Sequence, residues 1–170
     1  MKNKQTYIIL TILFLTYIIG GLLYLFDNPL GWLVYDIGLI PGVILGLIML
    51  IKNGTIISTT YFKLILAFIV LTFIGAFFKV SHWPFGQIIL TGSLISIGLV
   101  YLIWFVNKKN KSLLDILKLL WVITASGLAS LIGLGLIPSF YAHVGPVLFW
   151  TTIIYFVIVD RKAISKIENN

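Results

Sequence analysis

The sequence predicts an all-α fold, a polytopic membrane helical bundle in which six transmembrane helices form three hairpins and both termini face the cytoplasm. Hydrophobic residues make up 60% of the 170-residue chain and charged residues only 10%, against roughly 25% charged residues in a soluble domain. The apolar residues fall into six runs, and the longer ones match the roughly 20 residues that span a bilayer core. Basic residues lie in alternate connections between the runs, as the positive-inside rule describes. We therefore treat residues 1–170 as a single membrane domain.

The first predicted hairpin covers about residues 7–51. Its first helix is the apolar run 7–26, and a polar turn begins at Asp27. Pro29 is expected to open the second helix, because proline at the first helical position loses no hydrogen bond. Pro41 lies inside the second helix and is expected to kink it.

The second predicted hairpin covers about residues 59–106 and turns at the corner Lys79-Val80-Ser81-His82-Trp83-Pro84-Phe85-Gly86. This corner is polar, aromatic and broken by proline, and it lies between two long apolar runs. The helix before it is expected to end at Val80, and the helix after it is expected to begin at Pro84.

The third predicted hairpin covers about residues 113–159. Ser112 followed by Asp115 predicts a capping box, in which each side chain accepts a hydrogen bond from the other residue's backbone amide. The helix that follows is expected to end near residue 137. The last helix is expected to begin near Pro146, which makes it short for a membrane span. It then either begins earlier or thins the bilayer locally.

Basic residues collect on one side of this arrangement. The N-terminus, the second and fourth connections and the C-terminus receive eleven of the twelve lysine and arginine residues, and only Lys79 falls on the other side. This asymmetry places both termini in the cytoplasm, and we expect the protein in the bacterial cytoplasmic (inner) membrane. Orientation in the lipid bilayer also explains the net charge of +7, so no nucleic-acid partner is expected.

An internal repeat at an offset of 55 residues relates the first two hairpins. Gly20 aligns with Gly75, the two prolines expected to start helices align with each other, and Asp27 aligns with His82. In the third hairpin, His143 again lies just before a proline expected to start a helix. A duplication explains this match. The alternative is that membrane hairpins often turn in this way regardless of ancestry.

The central corner resembles a known family. Phe78-Lys79-x-x-His82-Trp83-Pro84, preceded by Gly75 and followed by an apolar helix that contains Gly92, is similar to the N-terminal membrane hairpin of the gliding-motility protein GldL over about residues 70–105. The resemblance implies two helices with cytoplasmic ends, joined by a turn in which Lys79, His82, Trp83 and Pro84 match the family residue by residue. Gly86 completes the turn motif here. It also implies a relation to proteins that form a proton-driven, stator-like ring around the partner GldM in gliding and secretion.

One feature of that family is missing. Its second helix carries a glutamate shortly after the glycine that matches Gly92, whereas Ser96 lies near that position here. The resemblance therefore implies a related membrane module without the proton-carrying acid. We expect a non-catalytic membrane component, without a cofactor, that packs against helices of a membrane-protein partner or of further copies of the chain.

Asp36 and Lys79 are candidate functional residues, because ionisable groups inside a membrane are costly. Asp36 is expected about two turns into the second helix, and Lys79 ends the third helix on the same side. An ion pair between them would be a structural clamp or, together with His82, part of a proton- or ion-coupled channel or carrier. The alternative is that Asp36 reaches interfacial water and Lys79 snorkels to it.

Three polar groups in the outer turns suggest a further alternative. Asp27, His82 and His143 could form an open metal site, which would make the protein a metal-dependent membrane enzyme. Side chains that face solvent are the simpler interpretation. Aromatic residues near the same turns are expected to form an interfacial belt: Trp32, Trp83, Phe85 and Tyr141.

Small residues recur every four positions on three of the predicted helices. They are Gly38, Gly42 and Gly46 on the second helix, Gly92 and Ser96 on the fourth, and Ala125, Ala129 and Gly133 on the fifth. Such stripes let helix backbones approach closely. We expect them to pack helices within the chain, and the alternative is a face for a partner helix.

Overall fold

The computed structural model describes residues 2–52 and 55–168, with side chains described over residues 5–52 and 56–159. No strand occurs within those ranges, so the predicted all-α fold is confirmed. The helices are α1 (Lys2–Leu25), α2 (Gly31–Lys52), α3 (Thr60–Val80), α4 (Gly86–Asn107), α5 (Leu113–Gly133) and α6 (Val144–Glu168), with short 3-10 helices at Thr55–Ser58 and Ser139–His143. Six segments are long and apolar enough to cross a membrane, as predicted.

The chain divides into two compact units. The first contains α1, α2 and the end of α6 from Phe156 onward. The second extends from Thr55 to Tyr155 and contains α3, α4, α5 and the first half of α6. Helices that follow each other in the chain pack together in both units, because short connections keep neighbouring elements adjacent.

Glycine residues bring α1 and α2 of the first unit into backbone contact. A methyl group at Gly20 would overlap the backbone of Tyr35, and one at Gly38 would overlap the backbone of Tyr17. The paired positions run in opposite directions along the chain, so the two helices are antiparallel. The rings of Tyr17 and Tyr35 lie 4.8 Å apart beside these glycines. Gly38 therefore packs α2 against α1, as small residues do between membrane helices.

The same kind of contact joins α3 and α4 in the second unit. A methyl group at Gly75 would lie 2.5 Å from the backbone nitrogen of Leu90. Nearby, the hydroxyl oxygens of Thr72 and Ser93 are 2.9 Å apart and share a hydrogen bond between the two helices. Close backbone approach and a hydroxyl pair thus fix the register of α3 on α4.

α5 packs against α4 through small and polar residues. A methyl group at Gly98 would lie 2.7 Å from the hydroxyl of Ser126, and one at Gly133 would lie 2.9 Å from the side-chain amide of Gln87. Ser126 and Ser130 are buried, and each hydroxyl donates to a carbonyl of its own helix. The serines therefore supply small volume and satisfied polarity, which suits a tight contact between helices.

α6 carries the most deeply buried side chains of the described chain. Phe149, Thr152 and Ile153 are almost completely buried. Within the second unit, the ring of Phe149 lies 5.0 Å from that of Trp121 on α5. The Thr152 hydroxyl lies 2.8 Å from the carbonyl oxygen of Leu148 in its own helix. The same hydroxyl lies 3.4 Å from the carbonyl oxygen of Leu117 on α5. This contact and the aromatic pair attach this half of α6 to α5.

Three helices end in the same way. α1, α3 and α5 are each followed by a residue with positive φ: Asp27 (54°), His82 (56°) and Gly135 (72°). In each case the next backbone amide reaches back five residues, a Schellman motif that satisfies a carbonyl at the helix end. The amide–carbonyl distances are 3.0 Å for Asn28 to Leu23, 2.8 Å for Trp83 to Phe78 and 2.9 Å for Leu136 to Leu131.

The repeat at an offset of 55 is therefore visible in the backbone of the first two helix pairs. Asp27 and His82 occupy the same left-handed position, and Gly20 and Gly75 make the same close approach to the following helix. The predicted third member was wrong. Gly135, not His143, occupies the left-handed position after α5, and His143 ends a 3-10 helix.

The helices begin at positions different from those predicted from proline. α2 begins at Gly31 and α4 at Gly86, two residues after the prolines expected to open them. Before α2, the Asn28 side chain accepts a hydrogen bond from the Leu30 amide at 3.0 Å. Before α4, Phe85 has a positive φ of 67°, which a helix cannot include. In both cases the proline therefore belongs to the turn that precedes the helix and is not part of the helix.

The last helix also differs from the prediction. α6 begins at Val144, so Pro146 is its third residue rather than its first, and the helix extends to Glu168. A membrane-spanning segment of ordinary length, Ser139–Val159, covers the 3-10 helix and most of α6. Of the two alternatives for the sixth span, the earlier start is therefore confirmed. Pro41 does lie inside α2, as predicted.

We expect Gly135→Ala to lower the free energy of unfolding by about 1 kcal/mol, because an alanine is disfavoured by about this amount in the left-handed conformation. Gly127→Ala is the matched control. An added methyl group meets no atom within 4 Å at either position, and only Gly135 has a positive φ. Titration of detergent-solubilised protein with a denaturing detergent would measure the difference. Equal stability of the two variants would contradict the assigned turn.

Candidate functional site

A polar cluster lies where α4 ends and α5 begins. Ser112 precedes α5 and forms a capping box with Asp115, as predicted. The Asp115 Oδ2 atom accepts hydrogen bonds from the backbone amide and the hydroxyl of Ser112, both at 2.8 Å. The Asp115 amide donates in turn to the Ser112 hydroxyl at 3.2 Å. These bonds fix the Asp115 carboxylate at the start of the helix.

The second oxygen of Asp115 binds a lysine. Lys108 Nζ lies 2.7 Å from Asp115 Oδ1, and the side chains are 21% and 8% exposed, respectively. The same ammonium lies 5.2 Å from the ring centroid of Trp104, within the range of a cation–π contact. The ion pair is thus partly buried, and it ties the end of α4 to the start of α5.

A second lysine lies beside this pair. Lys118 is only 9% exposed and lies three residues after Asp115, so both occupy one face of α5. Asp115 attracts the Lys118 ammonium, and Lys108 repels it. Over the described side chains, Lys118 forms no hydrogen bond and no ion pair shorter than 4.0 Å. Two buried or half-buried ammonium groups therefore share one carboxylate.

An apolar base supports the cluster within the second unit. Tyr101 and Trp104 of α4 are buried together with Ile56 and Ile65, and Leu119 of α5 packs against them. The rings of Tyr101 and Trp104 lie 5.1 Å apart. Burial of this apolar surface fixes α4 against α5 directly beneath the charged groups.

The two lysines were not predicted as site residues. In the sequence, Lys108 and Lys118 count only among the eleven basic residues assigned to the cytoplasmic side. Asp115 was singled out only as part of the capping box. The spacing of Asp115 and Lys118, three residues apart within an apolar helix, is the signal that could have identified them, because it places opposite charges on one helix face.

The predicted functional residues lie in different units. Asp36 is half-buried in α2 of the first unit, whereas Lys79 and His82 are exposed at the end of α3 in the second unit. Their pairing across units therefore stays a prediction. Within the second unit, the backbone of Lys79 faces Gly86, where an added methyl group would lie 2.5 Å from the Lys79 amide nitrogen.

The predicted metal ligands do not cluster. Asp27, His82 and His143 are all exposed. Across the described part of the chain, no group of three or more His, Cys, Asp or Glu side chains lies close enough to hold a metal ion.

The turn residues have a structural explanation. The ring of Trp83 packs against that of Phe78 with centroids 4.8 Å apart, and Pro84 follows in the turn. Gly86, the first residue of α4, is buried against α3. The aromatic residues expected in an interfacial belt are all exposed at the helix ends: Trp32, Trp83, Phe85 and Tyr141.

The stripes of small residues are only partly packed. Gly38, Gly42 and Gly46 are buried on α2, as expected. Gly92 does not pack against another helix of the described chain, because an added methyl group there meets nothing within 4 Å. A partner helix on this face stays a prediction. Ser96 uses its hydroxyl to bond the Gly92 carbonyl at 2.8 Å. The face of α4 that contacts α5 is shifted round the helix and contains Gly98.

No family model matches the chain, and neither a curated protein nor a solved structure matches it. The class of protein is therefore defined by the fold. Six helices long and apolar enough to cross a membrane, with large apolar side chains exposed along them, are the features of a multi-pass helical membrane protein.

Proposed function

We propose that the chain is a non-catalytic component of the bacterial cytoplasmic membrane, related to GldL, that packs against partner helices. The observation that carries this proposal is how its polar groups are used. The hydroxyls of Ser93, Ser126, Ser130 and Thr152 donate to carbonyls of their own helices. Asp115 is engaged in a cap and an ion pair. Polar groups used in this way stabilise helices rather than react with a substrate.

The proposed arrangement is three transmembrane hairpins with both termini in the cytoplasm. Antiparallel contacts of α1 with α2 and of α3 with α4 support the first two hairpins. The basic residues Lys108, Lys109 and Lys111 lie in the connection between α4 and α5, which the positive-inside rule assigns to the cytoplasm.

Reporter fusions test this orientation. A cytoplasm-specific reporter attached after the last residue, and one inserted between Lys109 and Asn110, are both expected to be active. The same reporter inserted between His82 and Trp83 is expected to be inactive, because that turn lies on the opposite side. An active reporter at the His-Trp turn would contradict the arrangement.

A partner helix is expected on the exposed face of α3. Val70, Phe73, Phe77 and Val80 recur at helical spacing, and Phe73 and Val80 are 72% and 79% exposed. Large apolar faces of this kind contact lipid or other membrane helices. The relation to GldL favours helices of a partner or of further copies, since the family works as an assembled ring.

Site-specific photo-crosslinking tests the partner. A photoreactive phenylalanine at Phe77 is expected to give a crosslinked species larger than the chain in native membranes. The same group at Tyr101, which is buried, is the control and should give crosslinks within the chain only. Lipid adducts alone at Phe77 would contradict the proposed packing against another protein.

The alternative is a proton- or ion-coupled channel or carrier that uses Asp36, Lys79 and His82. A pH-gradient assay in liposomes separates it from the first proposal. Flux that is lost in Asp36→Asn would favour the carrier, whereas liposomes that stay tight with and without the protein would favour the non-catalytic component. Metal analysis of purified protein addresses the metal-dependent enzyme.

A further inference from the structure

The charges at the junction of α4 and α5 do not balance. Lys108 and Lys118 contribute two positive charges, and Asp115, the acid between them, contributes one negative charge. Lys118 is nine-tenths buried. A buried ammonium is costly unless an anion compensates it. The three side chains together carry one net positive charge, which one further anionic group would neutralise.

The position of Lys118 in α5 limits where that anion can lie. Lys118 is five residues into the helix, which places its Cα roughly 8 Å from the helix start at 1.5 Å per residue. A lysine side chain on a helix points back toward the N-terminus. Its ammonium is therefore carried toward Ser112 and Asp115, at the depth where a membrane-spanning helix meets the lipid headgroups.

The surrounding residues favour a phosphate. Lys109 and Lys111 lie in the adjacent connection and are exposed, and the Lys111 ammonium lies 5.1 Å from the ring of Phe105. Basic clusters between helices on the cytoplasmic side bind anionic lipid headgroups. Lysine binds phosphate as a point charge.

We propose that Lys108 and Lys118 form a phosphate-binding site at the α4–α5 junction, which takes the headgroup of an anionic phospholipid. Asp115 holds Lys108 in place, and the cap at Ser112 fixes Asp115. The aromatic residues Tyr101 and Trp104 form the apolar base. A bound phosphate would neutralise the remaining positive charge of the two lysines and hold a lipid at the junction.

Thermal unfolding of detergent-solubilised protein tests the site. Short-chain phosphatidylglycerol is expected to raise the unfolding temperature, and short-chain phosphatidylcholine of equal length is not. Lys118→Met should weaken the apparent affinity for phosphatidylglycerol by at least about tenfold, because the variant loses a charge-assisted hydrogen bond to the phosphate. Lys109→Met removes the same charge from an exposed position and is the matched control, with the affinity unchanged.

A third arm identifies the source of the phosphate. If inorganic phosphate raises the unfolding temperature as phosphatidylglycerol does, the site holds and its ligand is free phosphate. If only phosphatidylglycerol acts, the ligand is the lipid. Lack of any shift in the native protein, or a shift of equal size in the Lys109→Met and Lys118→Met variants, would overturn the proposal.

A second measurement does not depend on the folding of a variant. A phosphatidylglycerol with a photoreactive headgroup, incorporated in phosphatidylcholine vesicles with the native protein, is expected to label peptides between residues 104 and 118. Labelling confined to residues 2–52 would overturn the proposal.

Discussion

Gly20→Ala is expected to lower the free energy of unfolding by about 3 kcal/mol, near the upper end of the usual cost of overpacking. The added methyl group would overlap the backbone of Tyr35, and a backbone cannot swing aside as a flexible side chain can. α1 and α2 would therefore have to separate along their contact. Titration of the detergent-solubilised protein with a denaturing detergent measures the loss.

The neighbouring residue provides the control. A methyl group at Gly21 meets only the ring of Tyr35, at an ordinary contact distance of 3.8 Å, so Gly21→Ala should leave stability unchanged or raise it slightly. The same contrast is expected between Gly75 and Gly92 in the second unit. Equal losses at Gly20 and Gly21 would mean that α1 and α2 do not approach as described.

Asp115→Asn is expected to lower the free energy of unfolding by about 2 kcal/mol. Asparagine can still accept the Ser112 hydrogen bonds, so the change removes the charge and leaves the cap. Lys108 and Lys118 then lose the carboxylate they share, and breaking a buried pair costs roughly 3–5 kcal/mol. The smaller figure reflects the 21% exposure of Lys108, which lets its ammonium reach water.

Two comparisons isolate this effect. Asp27→Asn removes a charge from an exposed turn and keeps a residue type that tolerates the left-handed conformation, so it should change stability little. The double variant with Lys108→Met should lose less than the sum of the single variants, because the pair is then removed together. Additive losses would show that Lys108 and Asp115 do not interact.

Helix number and type followed from composition and run length, because a segment that crosses a membrane must be long, apolar and fully hydrogen-bonded within itself. Helix starts were less predictable. Pro84 suits a first helical position, but the left-handed conformation of Phe85 delays α4 to Gly86. Nothing in the residue type of a phenylalanine signals a positive φ, so that boundary depends on the folded turn.

The candidate site was predictable only in part. The capping box of Ser112 and Asp115 is a local pattern, and the sequence contains all of it. The burial of Lys118 depends on how neighbouring helices pack around α5, which residue spacing alone does not determine. Gly92 illustrates the same limit, since a four-residue stripe does not reveal which side of a helix meets its neighbour.

The matched left-handed ends of α1 and α3 bear on how such a chain can grow. In the proposed orientation, each copied segment enters and leaves the bilayer on one side. A gene segment that encodes such a helix pair can be added in tandem without changing the membrane orientation of the helices that follow it. If the two pairs arose by duplication, the ancestral product was a short peptide that crossed the membrane twice.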